Sequence, residues 1–153
     1  MIFSPLTESN KNAHQYCHTI ADELLVLEKL LSGGVLFDEN LEDDQRELWV
    51  ELAEEAGEEP SRYCPALMDY VSRHCLGFVT LGKSSSSHGA GVRLLRTYGG
   101  PNAFIEYRGD GSNVSVEVYW GREFVSAQLV VPNVAKTLGE LANLAANSRP
   151  GSS

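Results

Sequence analysis

The sequence predicts an α+β domain with N-terminal helices, then a four-stranded antiparallel meander with a C-terminal helix. Up to about residue 77, apolar residues recur every three or four positions, the spacing of amphipathic helices. From residue 92, β-branched and aromatic runs of six to eight residues alternate with glycine-containing turns, as in hairpin-connected strands. A chain of 153 residues has the size of one domain. We therefore expect one domain over residues 1–153, with a helical part over 7–77 and the sheet and terminal helix over 92–147.

The first predicted helix follows a polar N-terminal segment. Thr7 or Ser9 can cap it, and the glycines at 33–34 end its pattern. Its apolar residues form one stripe that must be buried against the rest of the domain. They are Ala13, Cys17, Ile20, Leu24, Leu27 and Leu31.

The second predicted helix carries most of the negative charge. Asp38 or Asn40 is expected to cap it and Gly57 to end it. Residues 38–59 contain eleven acidic residues and one base, Arg46, a net charge of −10, whereas the whole chain carries −9. Direct nucleic-acid binding needs clustered Lys and Arg, so this charge argues against it.

The acidic face of this helix is either ordinary solvated surface or a surface for a protein partner. Trp49 could anchor such a partner, although its spacing with Leu48 and Leu52 is also that of a core residue. The predicted partner-binding residues are Glu42, Asp43, Asp44, Glu47, Trp49, Glu51, Glu54 and Glu55.

A third helix is predicted from Pro65, with Gly77 as the glycine after its end and a brief strand over 78–81. Residues 77–84 also match G-x-x-x-x-G-K-[ST], the phosphate-binding loop. The context argues against that function, because a helix precedes Gly77 and a serine-rich loop, not a helix, follows Lys83. A small-ligand or enzymatic site beside the Ser-rich loop over 82–91 is the alternative to partner binding.

The other residues that could bind a metal or act in catalysis do not form a recognisable metal site or catalytic site. His14 and His18 lie four apart, and His74 precedes Cys75, but the C-x-x-C spacing of structural zinc sites is missing. The serines at 84–87 adjoin a histidine in a flexible segment, without the fixed geometry that activates a nucleophile. We therefore predict no metal, no cofactor and no enzymatic activity.

Four strands are predicted over 92–98, 103–108, 113–120 and 124–131. Valines at 114, 116 and 118 alternate with polar residues. We therefore expect helices to cover one face of the sheet and the other face to be partly exposed to solvent. Pro132 is expected to open the terminal helix. An unprotected edge strand of the sheet can pair with a second copy of the chain, so a homodimer is a further alternative.

The N-terminus and the cysteines indicate the compartment. No charged segment leads into an apolar one, no apolar run is long enough to span a bilayer, and three cysteines do not make a disulfide framework. We expect a cytoplasmic protein.

The segment Arg96–Glu106, with the turn Gly99-Gly100-Pro101, and the later strand end Tyr119-Trp120 resemble a group of small uncharacterised proteins of plasmids, phages and integrative elements. The likeness covers about residues 92–146 and departs at Gly121, where a second tryptophan is common. It implies an accessory protein of a mobile genetic element. Such proteins often bind and block a host factor, and anti-CRISPR proteins are one class of them. The resemblance carries over no catalytic residue.

Together, the acidic helix and this resemblance predict a non-enzymatic inhibitor that binds a host protein. A dense negative surface suits the basic groove of a nucleic-acid-binding defence complex of the CRISPR type.

Overall fold

The computed structural model of the protein describes residues 2–32, 41–81, 91–109 and 111–147. It contains a six-stranded antiparallel sheet with helices on one of its faces. The strands are β1 (Ile2–Phe3), β2 (Gly77–Leu81), β3 (Gly91–Thr97), β4 (Asn102–Tyr107), β5 (Asn113–Trp120) and β6 (Glu123–Val130). The helices are α1 (Lys11–Leu31), α2 (Asp43–Ala56), α3 (Leu67–His74) and α4 (Pro132–Asn147), with a 3₁₀ turn at Pro60–Arg62.

The sheet is larger than the predicted four-stranded meander. Its order is β1-β6-β5-β4-β3-β2, and every neighbouring pair is antiparallel. The four predicted strands are present, each within one residue of its expected ends. The brief strand expected before the Ser-rich loop joins the sheet as β2, and β1 precedes the first helix instead of following the helical part.

The core lies between the sheet and the helices. Val114, Val116 and Val118 on β5 are buried, as their alternation predicts, and α1 packs across β5 and β6 while α4 packs against β3. Burying each such side chain contributes about 1.5–3 kcal/mol. The helix α2 packs on α1 and α3, so it forms a further layer on the helical side.

The starts of α1 and α2 differ from the predicted caps. Asn10, not Thr7 or Ser9, precedes α1, and the Glu123 carboxylate of β6 accepts hydrogen bonds from the backbone N–H groups of its first turn at 3.0 and 3.2 Å. Glu42, not Asp38 or Asn40, precedes α2, and its backbone N–H donates to the Gln45 side chain at 3.0 Å. A carboxylate from elsewhere in the fold can thus replace a local cap.

The end of α3 also differs from the prediction. The helix stops at His74, and Cys75 has extended backbone dihedrals. Gly77 is the first residue of β2, paired with Leu95, so it is a strand residue and not the glycine that ends the helix. The prediction for Pro132 is confirmed, because α4 begins there.

Candidate functional site

Seven carboxylates of α2 and its N-cap form what we call the acidic surface. The members are Glu42, Asp43, Asp44, Glu47, Glu51, Glu54 and Glu55. All are exposed except Glu51, which is half-buried. The apolar side of the same helix, with Leu48 and Leu52, is buried against the rest of the helical layer. The helix therefore separates core and charge as its sequence pattern predicts.

Only part of this negative charge is neutralised by ion pairs. Arg73 of α3 places its Nε 3.3 Å from Glu51 Oε1 and a terminal nitrogen 3.7 Å from Glu55 Oε2. His74 Nε2 is also 3.3 Å from Glu51 Oε1. Across the described ranges, Glu47 and Glu54 take part in no ion pair, so their charges face solvent. Glu42, Asp43 and Asp44 also form no ion pair there, but they lie at the N-cap and in the first turn of α2, where negative charge is favourable to the helix. Glu47 and Glu54 are therefore the unpaired members without that role.

A shallow groove between α1 and α2 extends the acidic surface. Its volume is about 360 Å³, and α1 contributes Asp22 and Glu23 to a lining that also contains Asp44, Glu47 and Glu51. Nearby carboxylates add their potentials, so a cationic side chain in this groove is attracted by several of them at once. The sequence did not indicate that α1 takes part.

Trp49 is not part of this surface. Its side chain is 6% exposed, and its indole N–H donates to the Pro60 carbonyl at 2.9 Å. Of the two interpretations of Trp49, its burial agrees with that of a core residue, and little of the side chain is left for a partner to contact. A buried indole with a satisfied N–H is typical of a core aromatic residue.

The histidines and cysteines considered as metal ligands lie in two separate places. His14 and His18 pack against the Phe3 ring, and His18 Nδ1 is 3.0 Å from the Asp22 carboxylate. His74 instead lies at the end of α3 beside Arg96. Within the described part of the chain, no group of three or more His, Cys, Asp or Glu residues is arranged to hold a metal ion.

A buried polar network links the end of α3 to the sheet. Arg96 of β3 donates to both oxygens of Glu23 at 3.2 and 3.3 Å and to the His74 carbonyl at 3.0 Å. Tyr70 donates its hydroxyl to Glu23 at 3.0 Å, and burial, followed by the nearby Glu23 charge, raises the Tyr70 pKa well above its ordinary value. These contacts orient α1, α3 and β3 relative to one another. No spacing in the sequence signalled them.

The segment that matches a phosphate-binding loop has a different structure where it is described. Gly77–Leu81 is the strand β2, whose backbone groups pair with β3 and do not curl around an anion. Residues 82–84 of the match, and most of the Ser-rich loop proposed as an alternative ligand site, lie outside the described residues.

The residues behind the resemblance to mobile-element proteins occupy a turn and a strand end. Gly99, with φ of +94°, lies in the β3–β4 turn, and its N–H donates to the Asn102 side chain at 3.0 Å. Tyr119 is exposed on β5, whereas Trp120 packs edge-on against Tyr16 with ring centroids 5.9 Å apart. Gly99 and Trp120 therefore have structural roles at these positions.

Comparison with known proteins gives no relative: no family model, curated protein or solved structure matches the chain. In the residues that the structure describes, no helix is both long and apolar enough to cross a membrane.

Proposed function

We propose that the protein is a non-enzymatic binding factor whose acidic surface occupies a basic, nucleic-acid-binding groove on a partner protein. The observation that carries this proposal is the set of exposed carboxylates on α2, of which Glu47 and Glu54 have no ion-pair partner among the described residues. A surface of one sign speeds association with a surface of the opposite sign and disfavours partners of like charge.

The biological context of the proposal comes from the resemblance of residues 92–146 to accessory proteins of mobile elements. On that basis we propose that the partner is a host defence protein of the CRISPR type, and that binding blocks its access to nucleic acid. A carboxylate-rich helix competes with phosphates for the same Lys and Arg side chains, because both present negative oxygens to them.

The test is capture of host proteins by the tagged protein and by two charge-reversal variants. Glu47→Lys/Glu54→Lys changes the acidic surface, and Glu8→Lys/Glu140→Lys changes exposed carboxylates elsewhere. Each Glu→Lys change adds two positive charges, so both variants carry a net charge of −5 instead of −9. The control thus matches the total charge and differs only in its position.

The acidic-surface variant is expected to stay folded. A lysine at 47 lies one helical turn before Glu51 and can pair with it, and a lysine at 54 is near the C-terminal end of α2, where positive charge is favourable. Glu51 and Glu55 are left unchanged, because they hold Arg73. Circular dichroism of the three proteins verifies that their helix content is equal.

We expect the wild type and the control variant to capture one stoichiometric partner and the acidic-surface variant to lose it. Placing two like charges against a basic groove costs about 2 kcal/mol or more, roughly a thirtyfold loss of affinity. A single-stranded oligonucleotide should displace the wild-type protein from this partner. Equal capture by both variants, or capture that an oligonucleotide does not disturb, contradicts the proposal.

A further inference from the structure

The sheet face opposite the helices contains a polar depression of about 350 Å³. Its lining residues come from three neighbouring strands: Glu106, Arg108, Asn113, Ser115, Glu117 and Gln128. The register places Glu106 opposite Ser115 and Ser115 opposite Gln128, so these three side chains form a row across the sheet. Gln128 donates its side-chain N–H to the Ser115 hydroxyl at 3.2 Å, which fixes part of the floor.

Glu106 is unusual for a carboxylate on this face of the sheet. Its side chain is only 7% exposed, and its Oε1 lies 3.3 Å from Nε of Arg108, a side chain that is 70% exposed. Among the described residues, none donates a hydrogen bond to the Glu106 carboxylate. Carboxylates with so little exposed area normally accept several hydrogen bonds. Neither Glu106 oxygen is a fully buried atom without a partner, so the carboxylate still reaches the depression that it lines.

The second carboxylate of the depression is already satisfied. Arg93 donates to Glu117 at 3.0 Å and lies 4.1 Å from the centre of the Phe104 ring, which holds the guanidinium in place. Tyr119 adds a hydroxyl contact to Glu117 at 3.4 Å. Although Arg93 is opposite Glu106 in the strand register, its guanidinium is directed to Glu117. Glu106 is therefore the carboxylate with capacity for further donors.

We propose that this depression binds a guanidinium group, with Glu106 as the anion that pairs with it. The two oxygens of a carboxylate match the parallel N–H groups of a guanidinium, which a compact ammonium group does not. The side-chain oxygens of Asn113, Ser115 and Gln128 supply acceptors for the remaining N–H groups. Arg108 is the competitor, since it already pairs with Glu106 and must release the carboxylate when the ligand enters. This site is on the face opposite the helical side and does not depend on the proposed function.

The test uses N-acetyl-arginine amide as the probe and the backbone amide signals of Glu106, Ser115 and Gln128 as the readout in nuclear magnetic resonance. We expect saturable shifts with a dissociation constant on the order of 1 mM, as is usual for a ligand of this size. The citrulline analogue, which has the same shape without the charge, should produce no saturable shift. Equal binding of the two analogues, or no saturable shift with either, overturns the proposal.

Two variants of the ion pair give opposite expectations. Glu106→Gln, which keeps the size of the side chain, should weaken binding at least tenfold, whereas Arg108→Ala should strengthen it a few-fold by removing the competing cation. Glu140→Gln, an exposed change on α4, should leave binding unchanged. A purely structural role for the pair would make both variants weaken binding, and that result overturns the proposal. Arg108→Ala remains decisive if Glu106→Gln loses its native spectrum.

A guanidinium can belong to a free metabolite or to an arginine side chain of a protein, and two further titrations distinguish these sources. Agmatine that binds at least as tightly as an arginine-containing peptide assigns the site to a small molecule. A peptide that binds at least tenfold more tightly assigns it to a protein. Tetramethylammonium serves as the control for non-specific charge, and equal shifts with it contradict a guanidinium site.

Discussion

Replacing Glu28 tests whether a carboxylate of α1 holds the start of α4. The residue before α4 is Val131, which has no side-chain acceptor, and Glu28 accepts from the backbone N–H groups of Asn133 at 3.1 Å and Val134 at 2.9 Å. It also accepts from the Asn133 side chain at 2.6 Å. Glu28→Ala therefore removes the cap of α4 and the hydrogen bonds that link α1 to α4.

The expected loss has three contributions. A lost N-terminal cap costs about 1 kcal/mol, with a range of about 0.5–2 kcal/mol. Removing a negative charge from the positive end of a helix dipole costs about 0.3–1 kcal/mol. Because the Asn133 side chain also loses a charged acceptor, we expect a total of about 2–3 kcal/mol in the free energy of unfolding. For a chain of this size, that corresponds to a fall in Tm of about 5–10 °C.

Urea unfolding followed by circular dichroism measures this loss. The denaturant dependence of the free energy should stay unchanged, because the native surface is the same. Glu28→Gln keeps an acceptor without the charge and should lose about half as much. Glu140→Ala, on the exposed side of α4, should stay within about 0.5 kcal/mol of the wild type. A Glu28→Ala variant as stable as Glu140→Ala would refute the reasoning.

Two further predictions concern buried groups. Glu23→Ala should cost about 3–5 kcal/mol in urea unfolding, because it leaves Arg96, whose side chain is only 16% exposed, without its anion. The double variant Glu23→Leu/Arg96→Met should recover most of that loss, and additive losses would contradict the assignment. Burial raises the pKa of the Cys17 thiol from 9.0 to about 12. The folded thiol thus keeps its proton where the unfolded thiol ionises, so the free energy of unfolding falls as pH rises above 9. The stability advantage over Cys17→Ala should therefore be about 1.4 kcal/mol smaller at pH 10 than at pH 8, and a constant difference would contradict it.

The four strands β3 to β6 were predictable because runs of six to eight residues rich in β-branched and aromatic side chains alternate with glycine-containing turns. β5 is the clearest case, since Val114, Val116 and Val118 are all buried. β1 has only two residues and therefore no periodicity, and it is a strand because it pairs with Gln128 and Ala127 of β6. A pairing between distant segments leaves no local pattern in the sequence.

The caps show why some local predictions were wrong. Thr7 and Ser9 have side chains suited to capping, and they bond to each other at 3.1 Å instead of to α1. The acceptors at the starts of α1 and α4 are Glu123 and Glu28, each more than one hundred residues away in sequence from the helix start it caps. Propensity identifies a helix start from its neighbours, and tertiary contacts can supply the same hydrogen bonds from elsewhere.

The candidate site was also predictable only in part, because its local charge pattern is visible in the sequence and its tertiary contacts are not. The charge pattern of α2 indicates one acidic face, and the exposed positions of Glu47 and Glu54 agree with it. The pairing of Glu51 with Arg73 depends on how α2 packs on α3, which the sequence does not reveal. Glu106 is charged within an otherwise apolar and aromatic strand, which is a visible signal, but its near-complete burial depends on side chains of neighbouring strands.

Two sets of acidic residues differ in their contacts, and the difference supports the binding function proposed for α2. Glu23, Glu28, Glu117 and Glu123 each accept hydrogen bonds from a partner in another part of the fold, so their charges stabilise the native structure. Glu47 and Glu54 have no ion pair in the described ranges and share a helix with other carboxylates one turn away, where like charges repel by about 0.2–0.5 kcal/mol per pair. Their charge therefore opposes folding slightly. Charges that give no stability in isolation, such as those of Glu47 and Glu54, gain favourable energy when a partner of opposite charge covers them.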